Sequence, residues 1–322
     1  MSATPPQGTA APAPHRAGPV IGAPARSDLA RRRGRWAAAF GSAALALGMG
    51  AFFFGAPSSP EREQMAGGAA IALAWGALEI IGIALGALAV LFALGALSTG
   101  GIRIRWRAAI GWAILGVAAL IALLLASPIL LTLAVPLAVV FALVAPPGSA
   151  DPPASLGARA LWGPTFAVAA LALVALTIAH VTAWNPLARV PGLTLDRIYS
   201  EMIAAGQLSP RTDFVIVAWA ILWVILAFGV VAASLVPAIG DRLTARRLVA
   251  AGCALLGLIG TTGWIAGFNI GMALADTFLT SGADAAPVGP ALRLVGQVFL
   301  AAALIIGFAP SRATATRPAP VG

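Results

Sequence analysis

The chain has 322 residues, 60% of them hydrophobic and only 10% charged, with a mean hydropathy of +0.94. A soluble domain carries roughly 25% charged residues, so an ordinary water-soluble enzyme is excluded. The formal charge of +9 is not the footprint of a nucleic-acid-binding protein, because its arginines cluster beside the ends of apolar runs, where they orient membrane helices. All 20 basic residues are arginine. With the abundance of Ala, Gly and Pro, that points to a GC-rich bacterial genome. The one cysteine, Cys253, lies inside an apolar run, which leaves no disulfide framework and no cysteine-based metal site.

In chain order, residues 1–35 read as a disordered, Pro/Ala-rich basic tail that is too poor in large apolar side chains to form a core. Arg31, Arg32, Arg33 and Arg35 with Trp36 then form a cytoplasmic anchor with an interfacial aromatic. A polar stretch this long before the first apolar run does not read as a cleavable signal peptide.

A spanning helix needs about 20 apolar residues. Runs of that kind are expected at 37–56, 67–97, 108–126, 128–145, 160–181, 214–239, 248–272 and 291–309. The apolar stretch 108–145 is too long for one crossing, and Ser127-Pro128 divides it, with Ser127 placed to cap and Pro128 at the first helical position. A re-entrant hairpin there would leave the later spans the same way round. The expected fold is an all-α polytopic bundle of about eight spans, followed by a disordered tail at 311–322.

Charge tests this map. Alternation from a cytoplasmic N-terminus leaves only Arg62, Arg189, Arg197, Arg211 and Arg293 on the outer side, while among the acids only Asp28, Asp151 and Asp241 lie inside. That is the positive-inside pattern. It places the protein in a bacterial cytoplasmic membrane, with both termini cytoplasmic.

The second run carries one carboxylate, Glu79, at a depth where an ionised acid costs at least ~2.5 kcal/mol. At helical spacing Trp75, Glu79, Gly82 and Gly86 share one stripe. Gly82 and Gly86 form a GxxxG pair, which lets helices approach closely. Glu79 is therefore expected to face protein, either as a proton- or cation-handling group or as a protonated clamp between helices. Trp75 is placed to pack over it or to donate its indole N–H.

Span 248–272 is marked on two faces. Gly263, Gly267 and Gly271 form a small-residue ribbon, and Thr262, Asn269 and Asp276 recur on another side. Such a helix is most simply central. Asn269 and Asp276 either line an outward-facing cavity or cap the helix end in water. His180 is a lone histidine near the outer end of span 160–181; a metal or haem would need a second ligand, so an interfacial hydrogen-bonding role is the simpler reading. Arg293 either reaches headgroups or pairs with Asp276 or Asp284.

Between Asn185 and Asp213 the pattern predicts a short outer amphipathic helix over 195–205, with Thr194 as N-cap and Gly206 just past its end. Leu195, Ile198, Tyr199, Met202 and Ile203 form its apolar face, which lies on the membrane, covers the bundle mouth or docks a membrane-protein partner. The stretch LTLDRIYSEMIAAGQLSP, followed by a Trp-containing apolar span, resembles a segment of uncharacterised multi-pass membrane proteins of high-GC actinobacteria. That resemblance implies no activity.

The chain has no Walker A, G-x-S-x-G, H-E-x-x-H or CxxC motif, so no cofactor is indicated and a membrane enzyme ranks third among the readings. Two functions stay open. One is a small-solute or ion permease using Glu79. The other is a non-transporting accessory or assembly subunit, with the lipid bilayer and a membrane-protein partner as its contacts and no nucleic acid.

Overall fold

The computed structural model describes residues 23–48, 68–99, 151–208, 210–240 and 243–310. Among these, the regular structure is helical apart from one isolated β-bridge between Pro153 and Thr244. Helix α1 is Ala23–Gly48, α2 Gly68–Thr99, α3 Leu156–Ala179, α4 Asn185–Arg189, α5 Leu195–Ala204, α6 Pro210–Leu235, α7 Pro237–Gly240, α8 Ala245–Phe278 and α9 Val288–Phe308. A π-helical turn, His180–Trp184, joins α3 to α4.

Five described stretches are long and apolar enough to cross a bilayer: Ala69–Thr99, Leu156–Arg189, Phe214–Leu235, Ala245–Phe278 and Val288–Phe308. They fit a multi-pass membrane protein. The spans expected at 108–126 and 128–145, and the end of that at 37–56, lie outside the described residues.

Several helices begin earlier or end later than hydropathy alone predicts, each for a local reason. Helix α1 takes in Arg31 to Arg35, residues expected in the tail. Arginine is a good helix former, and Arg31 pairs with Asp28 one turn back at 2.5 Å. Helix α3 starts at Leu156 rather than 160, because Ser155 caps it by accepting the Ala158 N–H at 3.2 Å. Helix α8 starts at Ala245, where Thr244 accepts the Arg247 N–H at 3.2 Å. It runs to Phe278, past the expected end at 272, and stops where Leu279 turns left-handed. Helix α5 is capped by Thr194, and Gly206, at φ +72°, follows its end.

Helix α8 is the centre of the bundle. It packs against α3, α6 and α9, and 67% of its apolar stretch is buried, against 11% for α2. Glycine makes the tightest of these contacts. A Cβ on Gly260 would lie 2.7 Å from the Leu292 carbonyl oxygen, and one on Gly296 would lie 2.8 Å from the Thr261 nitrogen. Helices α8 and α9 therefore touch backbone to backbone, as membrane helices do when small residues line the contact. Helix α1 joins from the other side, packing on α2 and α9. Gly82 lies in the first of those contacts, its Cβ position 3.4 Å from the Leu47 Cβ.

Arg33, Arg35 and Arg246 gather at one end of the bundle. Arg33 Nη1 donates to the Gly95 carbonyl at 3.0 Å, and Arg35 Nε donates to that of Phe308 at 3.1 Å. Arg246 donates to Ile306 at 2.5 Å and Gly307 at 3.0 Å, and also to Ala309. A cation at a helix C-terminus meets the negative end of the helix dipole. The Ala154 N–H donates to the Leu243 carbonyl at 2.9 Å. These bonds bring the middle of α1 and the starts of α3 and α8 to the same end as the finishes of α2 and α9.

Candidate functional site

The opposite end is built around a break in the α3 ladder. Pro186 has no N–H to donate. Just before it the helix widens by one residue, so that the Asn185 N–H reaches back to the His180 carbonyl. This turn buries His180 and Asn185, at 3% and 6% exposure.

Both face the loop between α8 and α9. The Asn185 side-chain oxygen accepts the Ala285 N–H at 2.7 Å, and Arg189 donates to the Ala283 carbonyl. Between these two anchors lies Asp284. One of its carboxylate oxygens is 3.2 Å from His180 Nε2, at ion-pairing distance but without hydrogen-bond alignment. The other pairs with Arg293 of α9. Gly289, in the first turn of α9, makes room: a Cβ there would run into both Asp284 and His180. The carboxylate also sits at the positive end of the α9 dipole, where an anion is favoured.

The cluster therefore holds one carboxylate against one permanent cation and one imidazole, with little water. It ties three consecutive loop residues to two helices. Among the described residues, no group of three His, Cys, Asp or Glu side chains could hold a metal ion.

The residues singled out from sequence fall in separate places. Trp75 is buried at 1% exposure in α2, with Glu79 half-buried one turn on, and α2 packs chiefly on α1. Asn269 is half-buried in α8, and Asp276 is exposed on its last turn. His180 alone of these belongs to the charged cluster. On the glycine ribbon, Gly263 lies against Thr177 of α3, Gly267 against Val181 of the π turn, and Gly271 against the Gly282 carbonyl. The ribbon thus seats, in order, the helix, the turn and the loop that carry the cluster. Gly86 is buried in α2.

Compared with known families, curated proteins and solved structures, the chain matches none. Its functional reading rests on the site's own geometry.

Sequence reasoning missed Asn185, Arg189 and Gly289 as parts of the cluster. The Asn185-Pro186 pair was the available signal, since a proline after an apolar run marks a disturbed ladder. Gln297 is fully buried in α9, its amide nitrogen 3.5 Å from the Leu47 carbonyl, and it ties α9 to α1.

Proposed function

We propose that the protein is a non-transporting component of the bacterial cytoplasmic membrane, an accessory or assembly subunit whose bundle is closed rather than conducting. The observation that carries this reading is the separation of its polar groups. Glu79 lies on α2, which packs chiefly on α1, whereas His180, Asp284 and Arg293 gather at the far end of α3 and α9. Between that end and the arginine end, α8 and α9 meet backbone to backbone at Gly260 and Gly296, with Leu300 packed on Gly257. A permeation path needs convergent polar groups lining a cavity, whereas Glu79 and the His180–Asp284–Arg293 cluster lie on different helices.

The eight-span topology is part of the same proposal. Helices α2 and α3 are joined through residues 100–155, and α2 ends at the end of the bundle where α3 begins. The paired spans expected at 108–126 and 128–145 require that arrangement. The arginine end is assigned to the cytoplasm by the positive-inside rule, which puts both termini there and α5 on the outer face. With Ile198 and Met202 buried against Ile270, Ala273 and Leu274 of α8, α5 covers that face of the bundle rather than floating on lipid. Its polar side is then available to a membrane-protein partner. The kinship with uncharacterised actinobacterial membrane proteins belongs to this proposal too.

A permease reading has one observation in its favour: Glu79 is half-buried in a helix otherwise among the most exposed. Proton flux separates the two. Purified protein in liposomes carrying a pH-sensitive dye is given a pH step. Flux no greater than that of protein-free liposomes, unchanged in Glu79→Gln, supports the closed component. Flux that Glu79→Gln abolishes would establish the permease instead.

A further inference from the structure

We infer that α5 is a strap that locks the proline-broken end of α3, fastened where Tyr199 supplies the hydrogen bond that Pro186 cannot. In an unbroken helix the N–H of residue 186 would bond the carbonyl four residues back, that of Thr182. Proline has no N–H. The Tyr199 hydroxyl, reaching over from α5, donates to that carbonyl instead at 3.0 Å. Thr182 is also held from below, because its own hydroxyl donates to the Ile178 carbonyl of α3 at 2.7 Å.

The fastening point lies in the middle of the π turn, and the turn aims the residues that meet the α8–α9 loop. His180 opens the turn and stands 3.2 Å from Asp284; Asn185 follows it and accepts the Ala285 N–H at 2.7 Å. A helix stretch widened around a proline has few bonds of its own to fix it, so a bond to Thr182 steadies both flanking residues. The strap is anchored on a different element. Ile198 and Met202 of α5 are wholly buried against Ile270, Ala273 and Leu274 of α8. Its other side, with Asp196, Arg197 and Ser200, is exposed. A protein gripping that side pulls on the Tyr199–Thr182 bond, and through the π turn on the loop that carries Asp284.

The test is hydrogen exchange of the purified full chain in detergent, read by mass spectrometry on peptides covering 195–204 and 283–287. Tyr199→Phe removes one hydroxyl and keeps the ring. Exchange is expected to quicken roughly fivefold in both peptides, which is what one hydrogen bond is worth. Pro186→Ala restores the missing N–H, so in that background the same substitution should quicken exchange less than about twofold. Quickening in 195–204 alone would make Tyr199 a local contact and overturn the inference. So would exchange unchanged by Tyr199→Phe, or an effect of the same size with and without Pro186→Ala. Should Pro186→Ala fold poorly, the 283–287 peptide of Tyr199→Phe decides alone, and exchange there at the wild-type rate overturns the inference.

Discussion

Arg293 reaches across the first turn of α9 to pair with Asp284, although their side chains are only 11% and 16% exposed. A buried pair of this kind is worth little over a well-packed apolar replacement, but removing one partner strands the other charge. Asp284→Ala should therefore destabilise the protein by about 3–5 kcal/mol, and Arg293→Ala should do the same. The double variant Asp284→Leu, Arg293→Met should recover much of that loss. Unfolding in detergent measures all three, and a double variant no better than the singles would show that the pair is not the source.

Glycine at the α8–α9 crossing makes a sharper comparison. Gly260→Ala places a methyl group 2.7 Å from the Leu292 carbonyl oxygen, so the helices must separate. An overpacking loss of about 1–3 kcal/mol is expected. Gly76→Ala, in α2, meets nothing within 4 Å. It should be neutral or stabilise by about 0.5–1 kcal/mol through helix propensity. Thermal melting of the two variants side by side gives opposite signs if the crossing is as close as described.

Leu279 ends α8 at φ +50° with 92% of its surface exposed. A left-handed conformation costs a non-glycine residue roughly 1–2 kcal/mol, and little packing is lost on truncation. Leu279→Gly should raise the melting temperature. A drop would mean that the leucine side chain is held by something in the membrane or by a partner.

Thr194→Ala removes the cap of α5, whose bond to the Arg197 N–H is long at 3.4 Å. The loss should fall near the lower end for caps, about 0.5–1 kcal/mol. Hydrogen exchange should speed up in residues 195–204 while α8 stays protected, because Ile198 and Met202 anchor the helix only through one face.

Much of this architecture is legible in the residues, and the limits have physical causes. Hydropathy finds apolar spans because burial in lipid is a matter of composition. Thr194 and Gly206 mark the ends of α5 because capping is local. By contrast, the partner of Arg293 is set by loop geometry: Asp276 and Asp284 are both near in sequence, and only the Asn185 and Arg189 anchors bring Asp284 into place. The small-residue ribbon of Gly263, Gly267 and Gly271 stands out as a pattern, yet the α8–α9 crossing uses Gly257 and Gly260, whose spacing matches no such motif. His180, isolated in sequence, is brought by folding to a charged neighbour.

The two chemically distinct ends of the bundle are assigned to opposite sides of a membrane. Impermeant maleimide labelling in intact cells tests this most directly, in a Cys253→Ala background that removes the buried native thiol. Ser200→Cys on α5 should label at once, whereas Ala245→Cys at the start of α8 should label only after the inner membrane is permeabilised. Labelling of both positions from the same side, or of Ala245→Cys alone in intact cells, would contradict it.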